Sequence, residues 1–133
     1  MKKQNKQPVV FDIDGTLTSE YYNEGNLTTL RENPTMMLLA IAMQAERPLV
    51  ISTARPERFR PQTEKWLASH GLKPEAIYMR DDEREGVADH MIKFNHLQDI
   101  RKNFGDPVVW ADDNDSNIHM LEKNNVPVIH VKQ

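Results

Sequence analysis

The chain has 133 residues, 38% of them hydrophobic and 28% charged, and no cysteine. Disulfides, zinc thiolates and a thiol nucleophile are thereby excluded, and the length suits one domain around a single core. The net charge is −3, and with Lys2, Lys3 and Lys6 standing before Pro8 the remainder carries 14 bases against 20 acids, the wrong balance for coating nucleic acid along its length. Residues 1–7 read as a flexible leader and 8–133 as the domain. The longest apolar run, Met36 to Met43, is too short to cross a bilayer, and the amino terminus lacks the apolar centre of a signal peptide. No membrane partner is expected, and a cytoplasmic location is.

Val9 to Asp12 is predicted as the first strand, a β-branched run to be covered on both faces. Gly15 to Asn33 is irregular and reads as a flap of a few turns or a short hairpin. Asn33-Pro34 starts a helix, with Asn as the cap and Pro at the first helical position. That helix runs to about Ala45, is apolar nearly all round and is expected to be deeply buried. Pro48 to Thr53 is a second strand, broken by Ala54-Arg55-Pro56. A helix with Phe59, Trp66 and Leu67 on its apolar side ends near Gly71, a left-handed cap. Ala76 to Arg80 is a third strand that opens into the charged segment Asp81 to Glu85. Ala88 to Phe104 is a helix with Met91, Phe94, Leu97 and Ile100 at helical spacing, ended by Gly105-Asp106-Pro107. Val108 to Asp113 is a fourth strand, Ser116 to Asn124 a short helix and Val126 to Val131 a last strand. Strands alternate with helices throughout, so the fold class is α/β, a doubly wound parallel sheet with right-handed crossovers.

Four of these strands end in polar groups: Asp12 with Asp14, Thr53 with Arg55, Arg80, and Asp112 with Asp113. In a parallel sheet those ends share one edge, where ligands bind. Several carboxylates at one point are costly unless a cation neutralises them, and they suit a hard divalent ion such as Mg²⁺. No Walker loop is present to hold phosphate in the other common way.

Asp12-Ile13-Asp14-Gly15-Thr16 resembles the signature of the haloacid dehalogenase (HAD) phosphohydrolase superfamily. Thr53 at the end of the second strand, Lys93 on the helix after the third, and Asp112-Asp113 followed by Asn117 resemble its later motifs, in order. A looser similarity is to the 3′-phosphatase domain of phage polynucleotide kinase/phosphatase. It rests on Thr53-Ala54-Arg55, the Arg80 to Arg84 segment, Asp89 four residues before Lys93, and the Asp-Asp ending. Ala54 stands where that family usually has glycine.

The superfamily resemblance implies a Rossmann-like HAD-type fold and a Mg²⁺-dependent phosphatase. Asp12 is then the nucleophile that forms an aspartyl-phosphate, and Asp14 the acid and later the base. The magnesium ligands implied are Asp12, the main-chain carbonyl of Asp14 and Asp113, with Asp112 behind them. Thr53 and Lys93 hold phosphoryl oxygens, and Thr16, Arg55, Arg80 and Arg84 are candidates for substrate contact. Arg58 and Arg60 read instead as a solvated face, and Trp66, Trp110 and the methionines as core. The five histidines show no ligand spacing. Tyr21 and Tyr22 are the aromatics left open for stacking on a base. Leu17 to Asn33 is too short for a cap domain, so an open site is expected, suited to the end of a large substrate. A polynucleotide 3′-phosphate is the first expectation. A nucleoside 5′-monophosphate, another small substrate or a phosphoprotein is the second, and a HAD-like binding module without catalysis the third.

Overall fold

Val9, Val10 and Phe11 have no polar side chain to offer water, and none of the three is exposed. They form β1 (Val9–Phe11), the centre of a five-stranded parallel sheet described by a computed structural model over residues 6–132. The other strands are β2 (Leu49–Pro56), β3 (Ala76–Arg80), β4 (Val109–Asp112) and β5 (Val128–His130), in the spatial order β3-β2-β1-β4-β5. Each strand is joined to the next by a helical crossover. The helices are α1 (Pro34–Gln44), α2 (Arg60–Ser69), α3 (Asp89–Asn103) and α4 (Asp115–Lys123).

Alternation along the strands sends side chains into two cores. Val9, Phe11, Leu49 and Ile51 meet Met36, Met37 and Ala40 of α1 and Trp66 and Leu67 of α2. Val10, Val50 and Trp110 meet Leu97 and Ile100 of α3 and Met120 and Leu121 of α4. Both faces of the sheet are therefore covered, and the doubly wound class holds. β1 pairs with β2 on one side and β4 on the other. The winding reverses between β1 and β4, which is where an open α/β sheet leaves a crevice.

The helix starts follow the sequence. Asn33 Oδ1 accepts from the Met36 N–H at 3.2 Å, and Asn114 Oδ1 from the Asn117 N–H at 3.0 Å. Three expectations change. α1 is not buried all round: Leu38 is 69% exposed and Ile41 40%, because only one side of the helix meets the sheet. β2 runs on to Pro56, with a register irregularity against β3 between Ser52 and Pro56. On α3, Met91 is exposed, and Ile92, Lys93 and His96 turn inward instead.

The segment after β1 is a turn at Ile13–Leu17, not a regular helix, with Gly15 at φ +80°. The flap beyond it, residues 18–32, is closed by an antiparallel bridge between Thr18 and Glu32 and by the Ser19 N–H bond to the Arg31 carbonyl at 2.9 Å. Among the described residues no cap domain is evident. Of the leader expected at 1–7, residues 1–5 lie outside the described ones. The Gln7 carbonyl accepts from Arg47 Nη1 at 3.3 Å, and Gln7 Nε2 donates to the Asp106 carbonyl at 3.1 Å. Among the described residues, no helix is long and apolar enough to cross a membrane.

Candidate active site

β1 delivers Asp12 to the sheet edge, and its N–H is tied to the Ala111 carbonyl of β4 at 3.0 Å. One carboxylate oxygen of Asp12 accepts from Lys93 Nζ at 2.9 Å, the other from Thr16 Oγ1 at 3.2 Å. Thr16 therefore holds Asp12 instead of standing open to a substrate. α3 carries Lys93 in beneath the edge. Its Nζ also donates to the Ser52 carbonyl at 2.7 Å and to Asp112 Oδ2 at 3.1 Å. Burial works against charge on Lys93, but the Asp112 and Asp12 carboxylates outweigh it and hold its pKa above the usual lysine range. Burial pushes Asp12 well above the ordinary carboxylate range. Lys93 opposes that shift, and Asp112 and Asp14 add to it.

The two acids that end β4 differ in their surroundings. Asp112 is fully buried and accepts from Lys93, from Asn117 Nδ2 at 3.2 and 3.3 Å, and from the Asn114 N–H at 3.1 Å. Asp113 is half-buried, and its Oδ2 accepts from the Tyr21 hydroxyl of the flap. That bond, more than burial, pushes the Tyr21 phenol up to about 12. Gly15 packs against the same pair: a Cβ there would collide with the Asp113 carboxylate and lie 2.7 Å from the Tyr21 hydroxyl.

Carboxylate oxygens of Asp12, Asp112 and Asp113 lie within 4.8 Å of one another. With all three carboxylates ionised against the one ammonium of Lys93, two negative charges are left, the complement of one divalent cation. Oxygen donors at this spacing fit a hard ion such as Mg²⁺. The Asp14 side chain is outside this group. Arg55 Nε and Nη2 grip its two oxygens at 2.9 and 2.8 Å.

Arg55 is therefore not an open substrate contact. It is buried, its Nη1 donates to Thr63 Oγ1 at 3.0 Å, and Tyr22 stacks on its guanidinium 5.1 Å from the ring centroid. The irregularity in β2 brings it here. Thr53, also buried, accepts the Arg55 N–H at 3.2 Å. Arg80 is likewise turned inward. It donates to the Ala54, Arg84 and Val87 carbonyls at 3.0, 2.7 and 2.6 Å, and to Asp89 at 2.6 Å. Arg80, expected as a substrate contact, here anchors the 81–88 loop through these bonds. Arg84, half-buried, contributes its carbonyl to that anchor.

A cleft of about 200 Å³ opens on Asp12, Asp14, Lys93 and Asp113. Tyr21, Tyr22, Asp89, Asn114 and Asn117 complete it. Asn114 enters the cleft as the cap of α4, and that cap position is the signal its sequence carries. His96, which shows no ligand spacing in the sequence, is buried behind the site, its Nδ1 2.7 Å from Ser52 Oγ and its Nε2 donating to the Met79 carbonyl at 3.0 Å.

Comparison with known proteins bears on the fold that carries this site. The family described as PITM 1-3, LNS2 domain, matches residues 9–131. No curated protein matches the sequence significantly. A chain of the Pnkp1/Rnl/Hen1 RNA repair complex superposes with a TM-score of 0.80 at 20% identity, covering 94% of this chain and 42% of that one. A second structure of the Pnkp1/Rnl/Hen1 complex gives 0.78 at 22% identity, with 94% and 46% covered. This chain thus spans less than half the length of those relatives. D,D-heptose 1,7-bisphosphate phosphatase from B. bronchiseptica, complexed with magnesium and phosphate, gives 0.61 at 13% identity, with 92% and 79% covered. The resemblance drawn from the four motifs therefore holds at the level of the fold, which is HAD-like.

Proposed function

The chain belongs to the family described as PITM 1-3, LNS2 domain, and on that premise we propose that it is a Mg²⁺-dependent phosphomonoesterase acting on the 3′-phosphate of a polynucleotide end. The observation that carries the reading is the convergence of Asp12, Asp112 and Asp113 within 4.8 Å, with Lys93 bonded to two of them. A buried acid cluster of this kind is costly to keep without a ligand of opposite charge. Asp12, Asp113 and the Asp14 main-chain carbonyl would hold the cation, which supplies charge neutralisation at the phosphoryl group.

The chain's own residues divide the work. Asp12 attacks phosphorus as the bond to the leaving oxygen breaks, and Lys93 keeps the attacking carboxylate oriented and its charge balanced. Thr53 and Lys93 are the residues assigned to the phosphoryl oxygens; the three Lys93 N–H groups are held by Asp12, Asp112 and the Ser52 carbonyl, so one of those bonds is exchanged when the phosphoryl group enters. Asp14 gives the leaving alkoxide its proton, then removes one from the water that releases phosphate from Asp12. Arg55 occupies one lone pair on each Asp14 oxygen, which leaves the other free for the proton that is passed. Arg55 is thus the residue that fixes where Asp14 stands. The short flap supports a large substrate over a small one, since residues 18–32 cannot enclose a free metabolite.

The test has two stages. Hydrolysis of p-nitrophenyl phosphate is measured with and without Mg²⁺, for the natural chain and for Asp12→Asn. Turnover that requires both the ion and Asp12 is expected, and its absence returns the chain to a HAD-like binding module. Rates on 3′-phosphorylated oligonucleotides are then compared with rates on 5′-mononucleotides. Preference for the mononucleotides rejects the 3′-end assignment in favour of a nucleotidase.

A further inference from the structure

Tyr21 has an unusual setting. Its side chain is 61% exposed, yet its hydroxyl is bonded to Asp113, one of the three clustered carboxylates. A single exposed aromatic is ordinary on a protein surface. This one is tethered at its polar end to the catalytic edge and forms a wall of the cleft that holds Asp12, Asp14 and Lys93. The tether is supported from behind. Asn26 Nδ2 reaches the Tyr21 carbonyl at 3.5 Å, and Thr18 Oγ1 reaches the Glu20 carbonyl at 2.6 Å. The neighbouring Tyr22 is pinned between Arg55 and the edge of Phe59, 6.0 Å between ring centroids. The ring is thus pre-placed, and a tyrosine gives up little conformational freedom on contact.

What can lie on it follows from the neighbours. Asp12, Asp14, Asp89 and Asp113 make the surroundings of the ring acidic, so the group that lies on it should be uncharged, with the phosphodiester of the chain directed away from it. Asp89, Asn114 and Asn117 present polar ends, leaving the tyrosines as the apolar surface of the cleft. An uncharged, flat group fits that face best, and every nucleobase offers one. We infer that Tyr21 is a stacking platform for the base on the same sugar that carries the scissile phosphate. This rests on the phosphomonoesterase reading of the site and assigns it a specificity-determining residue.

The measurement is binding, so that turnover is not required. In the full chain carrying Asp12→Asn, with Mg²⁺ present, the affinity for a 3′-phosphorylated oligonucleotide ending in a normal base is compared by fluorescence anisotropy with that for the same oligonucleotide ending in an abasic sugar. With Tyr21 in place the base-bearing end is expected to bind about ten-fold more tightly. Tyr21→Ser should bring that ratio toward one, whatever it does to the two affinities in common. Tyr21→Phe should keep most of it, since the ring remains and only the tether to Asp113 is lost. A ratio near one with Tyr21 present, no binding of either end, or a ratio that Tyr21→Ser leaves intact overturns the platform. The enzymatic reading fails separately, if the chain with its natural Asp12 releases no phosphate from either oligonucleotide.

Discussion

The Lys93 ammonium stands between two carboxylates that water scarcely reaches: Asp12 is 7% exposed and Asp112 is fully buried. Taking the ammonium away leaves like charges facing each other in a poorly solvated site. Lys93→Met, which keeps the length of the side chain, is expected to cost about 3–5 kcal/mol in urea unfolding. Adding Asp112→Asn should recover part of that, because one of the two stranded charges is gone. Gly15 and Gly71 permit a cleaner comparison. Both have φ near +80°, so replacing either with alanine costs about 1–2 kcal/mol of backbone strain. A Cβ at Gly71 meets nothing within 4 Å, whereas one at Gly15 strikes Asp113 and crowds Tyr21. Gly15→Ala should therefore destabilise by more than Gly71→Ala in the same urea titration, and equal losses would mean that the turn relaxes away from Asp113. Asp12 and Asp112 were legible in the sequence because they stand at strand ends, Gly71 as a helix cap, and Lys93 only through the resemblance of its helix to a known motif. Arg80 was not. A charged run looks alike whether its arginine faces solvent or folds back onto its own carbonyls, and only the turn of the 81–88 loop decides between them.

At the scale of the element, α3 shows where periodicity misleads. Met91, Phe94, Leu97 and Ile100 mark an apolar stripe in the sequence, but the helix is rotated so that Lys93 reaches Asp12. That rotation leaves Met91 exposed and brings His96 in against β2 and β3. The Met79 carbonyl can only accept, so His96 Nε2 carries the proton and Nδ1 accepts from the Ser52 hydroxyl. A second proton has no acceptor unless Ser52 turns. Burial, with the Lys93 ammonium second and Arg80 and Arg84 also opposing charge, pushes the imidazole down to about 4 from its ordinary 6.5. The folded state thus refuses a proton that the unfolded chain accepts below pH 6.5. His96 therefore makes no difference above that pH. It removes stability steadily between 6.5 and 4, by about 3 kcal/mol in all. Urea midpoints measured across that window should fall with pH in the natural chain. In His96→Gln, which can keep one of the two bonds, the fall should be shallower by that amount. An unchanged slope would mean that protonated His96 is tolerated. α1 makes the complementary point. Its composition is apolar almost throughout, so no stripe in the sequence could show that Met36, Met37 and Ala40 are the residues it buries.

The molecule as a whole places its chemistry at the edge where β1, β2 and β4 end, with α3 supplying a lysine from one face. The alternation of strand and helix was enough to read parallel pairing, because each crossover returns the chain in the same direction. Strand order was not readable, since it depends on which helix covers which face. The acid cluster is then a property of the assembled sheet: Asp12 and Asp112 are a hundred residues apart and converge only because β1 pairs with β4. An unfolded chain has no such cluster, so a divalent cation should bind the folded chain selectively and stabilise it by mass action. At a hundred times its dissociation constant the gain is about 2.7 kcal/mol, which for a chain of this size raises the melting temperature by on the order of 10 °C. Screening of a net acidic surface also stabilises, so the comparison must be with sodium chloride at equal ionic strength. Mg²⁺ is expected to exceed that control in the natural chain. Asp113→Asn removes a carboxylate from the cluster and leaves Asp112 bonded to Lys93 and Asn117. That variant should melt higher than the natural chain without the ion, because one repulsion is relieved, and should respond to Mg²⁺ no more than to sodium. If the two salts raise the melting temperature of the natural chain equally, the three carboxylates are not a cation site, and the stability they withhold must be balanced by Lys93 alone.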